Sequence, residues 1–165
     1  PSKEAEVGKI GEITTTGDHL MLGYLGSEEQ TREYFRSKDD AGWSGDLGFM
    51  DEDGDFTLIG RSKEMIIAGG MNIYPIEIET ILEEHTEIRE CAVFALTDPV
   101  WGELPAAAVV LQPGSKLSSQ AIIDFSSVHL AHFKRLHFVV VVGSLPKTVA
   151  GKIQRKMLTE RFKKN

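Results

Sequence analysis

Residues 60–79 read GRSKEMIIAGGMNIYPIEIE. Glu64 to Ala68 and the residues after Gly69-Gly70 are short apolar runs about a glycine pair, a pattern that predicts a tight β-hairpin. Pro75 then sits where a helix would start, because its fixed φ suits the first helical turn. Beyond it, Ile78, Ile81, Leu82 and His85 recur at i, i+3, i+4 and i+7, one face of a helix. Strand and helix therefore meet inside this stretch, and the chain reads differently on its two sides.

On the N-terminal side the signals are β. Ile10-Gly-Glu-Ile-Thr-Thr-Thr16 alternates and is rich in β-branched residues. Asp18-His-Leu-Met-Leu-Gly-Tyr24 is a second strand candidate. Ser27 to Phe35 predicts a short helix with Ser27 as N-cap. Leu47–Met50 and Asp55–Ile59 flank Asp51-Glu-Asp-Gly54, a hairpin with an Asp-Gly turn. On the C-terminal side strands and helices alternate. Strands are expected at 91–97 and 105–112. Ser118 or Ser119 should cap a helix with Ala121, Ile122, Phe125 and Val128 as its apolar face. A strand at 137–142, a turn and a helix from about Lys152 complete the chain.

Charge follows the same division. Residues 1–60 hold five Lys and Arg against fourteen Asp and Glu, whereas residues 61–165 hold thirteen against eleven. Only residues 147–165, with seven basic residues and one acidic, resemble a basic patch. That tail reads better as a solvated helix with cations near its C-terminal end than as a nucleic-acid surface, so no nucleic-acid partner is expected. No run of 18 apolar residues exists, so no membrane span is expected. Pro1-Ser-Lys-Glu-Ala-Glu lacks the apolar core of a secretory leader. The absence of an initial Met suggests a piece of something longer. One cysteine, Cys91, excludes an internal disulfide and fits a reducing, cytoplasmic compartment. It opens an apolar run and reads as packing rather than as a nucleophile.

Several sites fail on inspection. Gly151-Lys152 could close a phosphate-binding loop, but such a loop needs glycine at 146 and Ser or Thr at 153, and the chain has Pro146 and Ile153. Asp51–Asp55 resembles a calcium loop, yet the sixth position, which should be glycine, is Phe56. The histidines at 19, 85, 129, 132 and 137 carry no metal-binding pattern, so no metal site is assigned. No Gly-x-Ser-x-Gly elbow supports a serine hydrolase.

Ser44-Gly-Asp-Leu-Gly48, residues 60–79, Asp98-Pro-Val-Trp-Gly-Glu103 and Leu145-Pro-Lys-Thr-Val-Ala-Gly-Lys-Ile-Gln-Arg155 stand in a fixed order. Gly11-Glu12 with Met21-Leu-Gly-Tyr24 precedes them. Together they resemble the C-terminal part of the acyl-adenylate-forming, AMP-binding enzymes, most nearly an acyl-CoA synthetase. The resemblance covers essentially the whole chain. It implies an α+β chain in which residues 1–60 are the last β-barrel segment of a large N-terminal domain. Residues 61–165 would be a mobile α/β lid with a short hairpin, a small three-stranded sheet and helices.

The implied function is an ATP-dependent carboxylate–thiol ligase of fatty-acid metabolism, inactive as this fragment alone. Its partners would be a carboxylic acid, ATP with magnesium, and CoA or carrier-protein pantetheine. The resemblance gives Asp46 the ribose hydroxyls of ATP, Arg61 a nucleotide contact and Lys63 the hinge. Lys152 would be the catalytic lysine of adenylation, and the Gly69-Gly70 hairpin would pass the thiol arm. Three departures stand out. Gly42-Trp-Ser-Gly-Asp46 is two residues shorter than the family wording. Leu136 replaces a proline. Ile67 occupies the place of a second lysine in luciferases, which weighs against that chemistry. A free-standing lid module that binds a partner protein is the alternative.

Overall fold

The computed structural model describes residues 4–37 and 41–163. The reading of the first residues as no leader falls in part on residues 1–3, outside that range. The chain divides into two compact units, Pro1–Lys63 and Glu64–Asn165.

The first unit holds β1 (Gly11–Thr15), α1 (Glu28–Tyr34), β2 (Gly42–Met50) and β3 (Phe56–Arg61). The strands form an antiparallel sheet in the order β1-β2-β3, with no closed barrel among the described residues. Ser27 caps α1 as expected: its Oγ accepts from the Gln30 N–H, and Glu28 and Glu29 sit in the first turn where the helix dipole favours anions. The β2–β3 turn is also as expected. Asp51 Oδ1 accepts from the Asp53 and Asp55 amides at 3.0 and 2.9 Å, and Gly54 takes φ +88°. The carboxylate that suggested calcium therefore closes a turn.

The strand expected over Asp18–Tyr24 does not form. Its amides find local partners instead of a ladder: Leu20 N–H goes to Gly17 O and Tyr24 N–H to Thr31 Oγ1. Leu22 and Leu25 are fully exposed. Among the described residues of this unit, Ala41 is the one buried hydrophobic side chain.

The second unit contains β4 (Ile66–Ala68), β5 (Met71–Ile73), α2 (Pro75–Glu83), β6 (Ile88–Asp98) and β7 (Gly102–Leu111), then α3 (Ser119–His129), β8 (Phe138–Val141) and α4 (Arg155–Phe162). β7 is the centre of the sheet. β6 pairs antiparallel along one edge, from Ile88↔Leu111 to Asp98↔Gly102. β8 runs parallel to residues 106–109, and the β4–β5 hairpin joins through Ala68↔Gly102. The expected hairpin and three-stranded sheet are thus one five-stranded sheet.

Both faces of this sheet are covered, which explains the unbroken apolar run in β7. Val93, Ala107 and Val109 face α2 and α3, packing with Ile78, Leu82 and Ile122. Ala92, Phe94, Ala106 and Ala108 face the other way, toward Leu145 and Leu158 of the C-terminal segment. Fully burying a side chain such as Leu82 stabilises by roughly 1.5–3 kcal/mol.

Two helix expectations shift. In α3 Val128 is 80% exposed, while Ile122 and Ser126 are buried. The core-facing stripe follows steps of four from Ile122 to Leu130, whereas steps of three fall behind the 3.6-residue turn. Ser126 donates to Ile123 O, so its hydroxyl is satisfied inside the core. The last helix starts at Arg155 rather than Lys152, because residues 147–153 close a turn of their own. No helix is long and apolar enough to cross a membrane among the described residues.

Candidate active-site elements

In the first unit, β2 and β3 bring Asp46 opposite Arg61. Arg61 Nε donates to Asp46 Oδ1 at 3.0 Å. Both side chains are exposed, at 53% and 36%, so the pair adds little stability. Around Asp46 the backbone is held tightly. Its N–H donates to Ser44 Oγ, which donates to Ile13 O, and the Gly45 N–H donates to Glu12 Oε1. Gly45 takes φ +78°, which carries the shortened Trp43–Asp46 segment through its bend. Glu12 also accepts from Arg36, whose guanidinium lies 4.3 Å over the Trp43 ring. Sequence reading placed Glu12 in the family wording without a role and passed over Arg36, because their link depends on how the segment after α1 meets β1.

Lys63 lies in a single 3-10 turn, Ser62–Glu64, and its Nζ is 2.6 Å from Glu33 Oε1. The hydrogen bond from Lys63, with its charge, holds the Glu33 carboxyl below the ordinary range. A polar hollow of about 340 Å³ in this unit is lined by Tyr24, Glu33, Arg36, Arg61 and Lys63, among others. Asp46, Arg61 and Lys63 all lie in this unit, and Arg61 and Lys63 border one hollow.

In the second unit the β4–β5 turn is Gly69-Gly70, with φ +57° and +81°. The Gly69 N–H donates to Trp101 O at 2.8 Å. A Cβ on Gly69 would stand 2.6 Å from the Trp101 ring, so the indole lies directly against that glycine. Asp98 Oδ1 accepts from the Val100 and Trp101 amides, each at 2.9 Å. Glu103 Oε2 accepts from the Ile67 N–H at 2.8 Å. The Asp98–Glu103 segment is therefore the brace of the hairpin.

Lys152 sits at the end of a small turn. Lys147 and Ile153 bridge, Thr148 N–H donates to Lys152 O, and Lys152 N–H donates to Thr148 Oγ1. Gly151, at φ +81°, makes the reversal. Lys152 is exposed, and its Nζ has no hydrogen-bond or ion-pair partner among the described residues. No hydrogen bond or ion pair joins Lys152 to the Gly69-Gly70 hairpin there either. Lys147 Nζ pins the start of the turn to Glu90 at 2.6 Å.

The end of that turn is pinned by a group that sequence reading missed. Arg155 Nη2 donates to both Glu79 oxygens, at 2.8 and 2.9 Å. Its Nη1 reaches Glu64 Oε2 at 2.9 Å, and its Nε donates to Val93 O at 3.1 Å. Glu79 is 5% exposed and also accepts from the Val93 N–H at 2.7 Å. Burial pushes its carboxyl above the ordinary range, while Arg155 and the Val93 amide pull against that. A signal was available. Pro75, Ile78, Glu79 and Leu82 are the buried residues of α2, and they follow i, i+3, i+4, i+7. A carboxylate on a buried stripe needs a buried cation. Cys91, beside this cluster, is buried, and its thiol is pushed up to about 12 by burial first and then by the Glu79 and Glu83 charges.

Among the described residues no group of three or more His, Cys, Asp or Glu side chains could hold a metal ion.

These elements can be set against known proteins. The family model for the AMP-binding enzyme C-terminal domain matches residues 77–152. Oxalate–CoA ligase of Saccharomyces cerevisiae is 38% identical over 96% of this chain, which spans 29% of that enzyme. ATP-bound MatB from Rhodopseudomonas palustris superposes with a TM-score of 0.89 at 34% identity, over 98% of this chain and 32% of its own. o-Succinylbenzoate CoA synthetase (MenE) from Bacillus subtilis, in complex with its acyl-adenylate intermediate OSB-AMP, gives 0.84 at 30% identity, over 98% and 32%. The chain thus spans about a third of each of these relatives. Residues 77–152 are thus an AMP-binding enzyme C-terminal domain, and nearly the whole chain is similar to a part of these CoA ligases and synthetases.

Proposed function

We propose that this chain is the C-terminal part of an ATP-dependent acid–thiol ligase that makes an acyl-adenylate and then an acyl-CoA thioester. The observation that carries the reading is the Lys152 turn. An ammonium without a partner among the described residues stands on a glycine turn whose two ends are ion-paired to a well-packed domain. A positioned, strongly hydrated point charge suits a transient anion. In the first half-reaction a carboxylate attacks the α-phosphate of ATP, pyrophosphate leaves, and negative charge grows on the phosphoryl oxygens. Lys152 would stabilise that charge once water is excluded.

Asp46 would accept the ribose hydroxyls through Oδ2, since Arg61 uses Oδ1. Arg61 would hold Asp46 in place and face the nucleotide. Lys63, where one compact unit ends, would be the hinge of a mobile lid that withdraws Lys152 and brings in the Gly69-Gly70 hairpin for the thiol step. A glycine pair free of Cβ atoms lets a thin pantetheine arm pass close to backbone. Magnesium accompanying ATP would take its ligands from outside these residues. CoA is favoured over a carrier protein by the CoA ligases among the relatives. A place in fatty-acid metabolism and in a reducing, cytoplasmic compartment belongs to the same reading, the latter supported by the single buried thiol.

Residues 1–60 would complete a β-barrel in a larger domain. Phe56 and Leu58 on β3 are 64% and 63% exposed, and the sheet is open. A free-standing lid module would have no use for such an uncovered face.

The test is Lys152→Ala in the intact enzyme. Carboxylate-dependent ATP–pyrophosphate exchange should fall by roughly a hundredfold or more. Thioester formation from supplied acyl-adenylate should persist. Equal loss of both steps sinks the role.

A further inference from the structure

Arg155 lies three residues beyond Lys152, at the first position of α4. Its fork is fully engaged with three parts of the domain: Glu79 on α2, Val93 on β6 and Glu64, the residue directly after Lys63. Its side chain is 21% exposed and that of Glu79 is 6%. Stability alone is a poor reason for this arrangement. Charges buried together lose much of their attraction to desolvation, and a packed apolar pair would hold α4 to α2 as well. An apolar pair would not fix direction. A guanidinium with acceptors on three elements does, because each bond has its own line of approach.

The consequence falls on Lys152. Between Arg155 and the bridge at Ile153 lies only Gln154, whose N–H donates to Pro146 O at 2.9 Å. Any rotation of Arg155 therefore moves the end of the Lys152 turn. The other end, Lys147 with Glu90, is a more exposed single contact and constrains less.

We propose that Arg155 is a positioning residue for the adenylation half-reaction, setting where the Lys152 ammonium is presented through its triple hold on Glu79, Val93 and Glu64. This rests on the reading of Lys152 given above. It also predicts asymmetry between the two half-reactions, because the thiol step does not use Lys152.

The experiment is Arg155→Lys in the intact enzyme, with Lys152→Ala run alongside. A lysine keeps the charge beside Glu79 but cannot make the fork. The kcat of ATP–pyrophosphate exchange should fall roughly ten- to a hundredfold, as expected for a catalytic group misplaced by about 1 Å. The KM for ATP, and thioester formation from supplied acyl-adenylate, should change by less than about twofold. Equal loss in both half-reactions, or none in exchange, overturns the proposal.

If Lys152→Ala is itself unselective, the reading of Lys152 fails and takes the proposal with it. If Lys152→Ala is selective and Arg155→Lys is not, the proposal alone fails. Should Arg155→Lys melt the domain, Glu64→Gln decides. It weakens one arm and leaves the Glu79 fork. A selective loss in exchange of roughly three- to tenfold supports the proposal, and unchanged exchange overturns it.

Discussion

Cys91 shows how a residue's surroundings decide its chemistry. Its sulfur is buried between α2 and β6, 3.7 Å from the Glu79 carbonyl, with two glutamates nearby. A thiol pushed up to about 12 holds almost no thiolate at pH 8, and the thiolate is the reactive form. Native protein should therefore resist a disulfide reagent such as DTNB at pH 8 and react fully in denaturant. Rapid labelling without denaturant would contradict the burial. Glu79 makes the same point from the opposite side. Its neighbours were visible in the order of residues, yet the partner that makes its burial tolerable lies 76 positions away.

At the scale of elements, the β4–β5 hairpin separates two contributions that glycine makes. Gly69 and Gly70 both hold positive φ, but only Gly69 has a ring against it. Alanine at Gly70 should cost about 1–2 kcal/mol, the strain of a left-handed L residue. Alanine at Gly69 should cost more, because Trp101 must also move. Urea unfolding of the two variants checks the order, and near-UV dichroism should report the displaced indole only for Gly69→Ala. Equal destabilisation would mean the Trp101 contact contributes nothing. Cap and turn chemistry behaves more simply. Ser118 Oγ accepts from the Ala121 N–H and starts α3 at Ser119, so the first of the two serines that local sequence offers is the cap.

On the scale of the whole molecule, the two units differ in what holds them together. The second has two apolar clusters, one on each face of its sheet. The first relies on an open sheet, caps and surface ion pairs, with little buried apolar area of its own. Local opening is easiest where few apolar groups are buried. Brief trypsin treatment of the 165-residue polypeptide should therefore digest residues 1–63 first and leave a resistant piece that begins near Glu64. Survival of residues 1–63 with loss of the remainder would overturn this ranking. In an intact ligase the proposed larger domain would cover Phe56 and Leu58, and the difference in sensitivity should shrink.

Sequence alone determined the caps and turns here, because these rest on forces within a few residues. The Ser27 cap, the serine cap of α3, the Asp51–Gly54 turn and the Gly69-Gly70 reversal are all short-range, and each appears near its expected place. It also determined the family, since the ordered motifs lie along the chain itself. Tertiary structure decided the rest. Asp18–Tyr24 had strand-like residues but no ladder to join, so its amides turned to Thr31 and Gly17. Val128 matched a helical pattern, yet the sheet met α3 along Ile122 and Ser126. Arg155 with Glu79 and Glu64, Lys63 with Glu33, and Arg36 with Glu12 meet only after strands pair and helices pack. Their energies depend on distance and burial in space, and neither quantity is written in residue order.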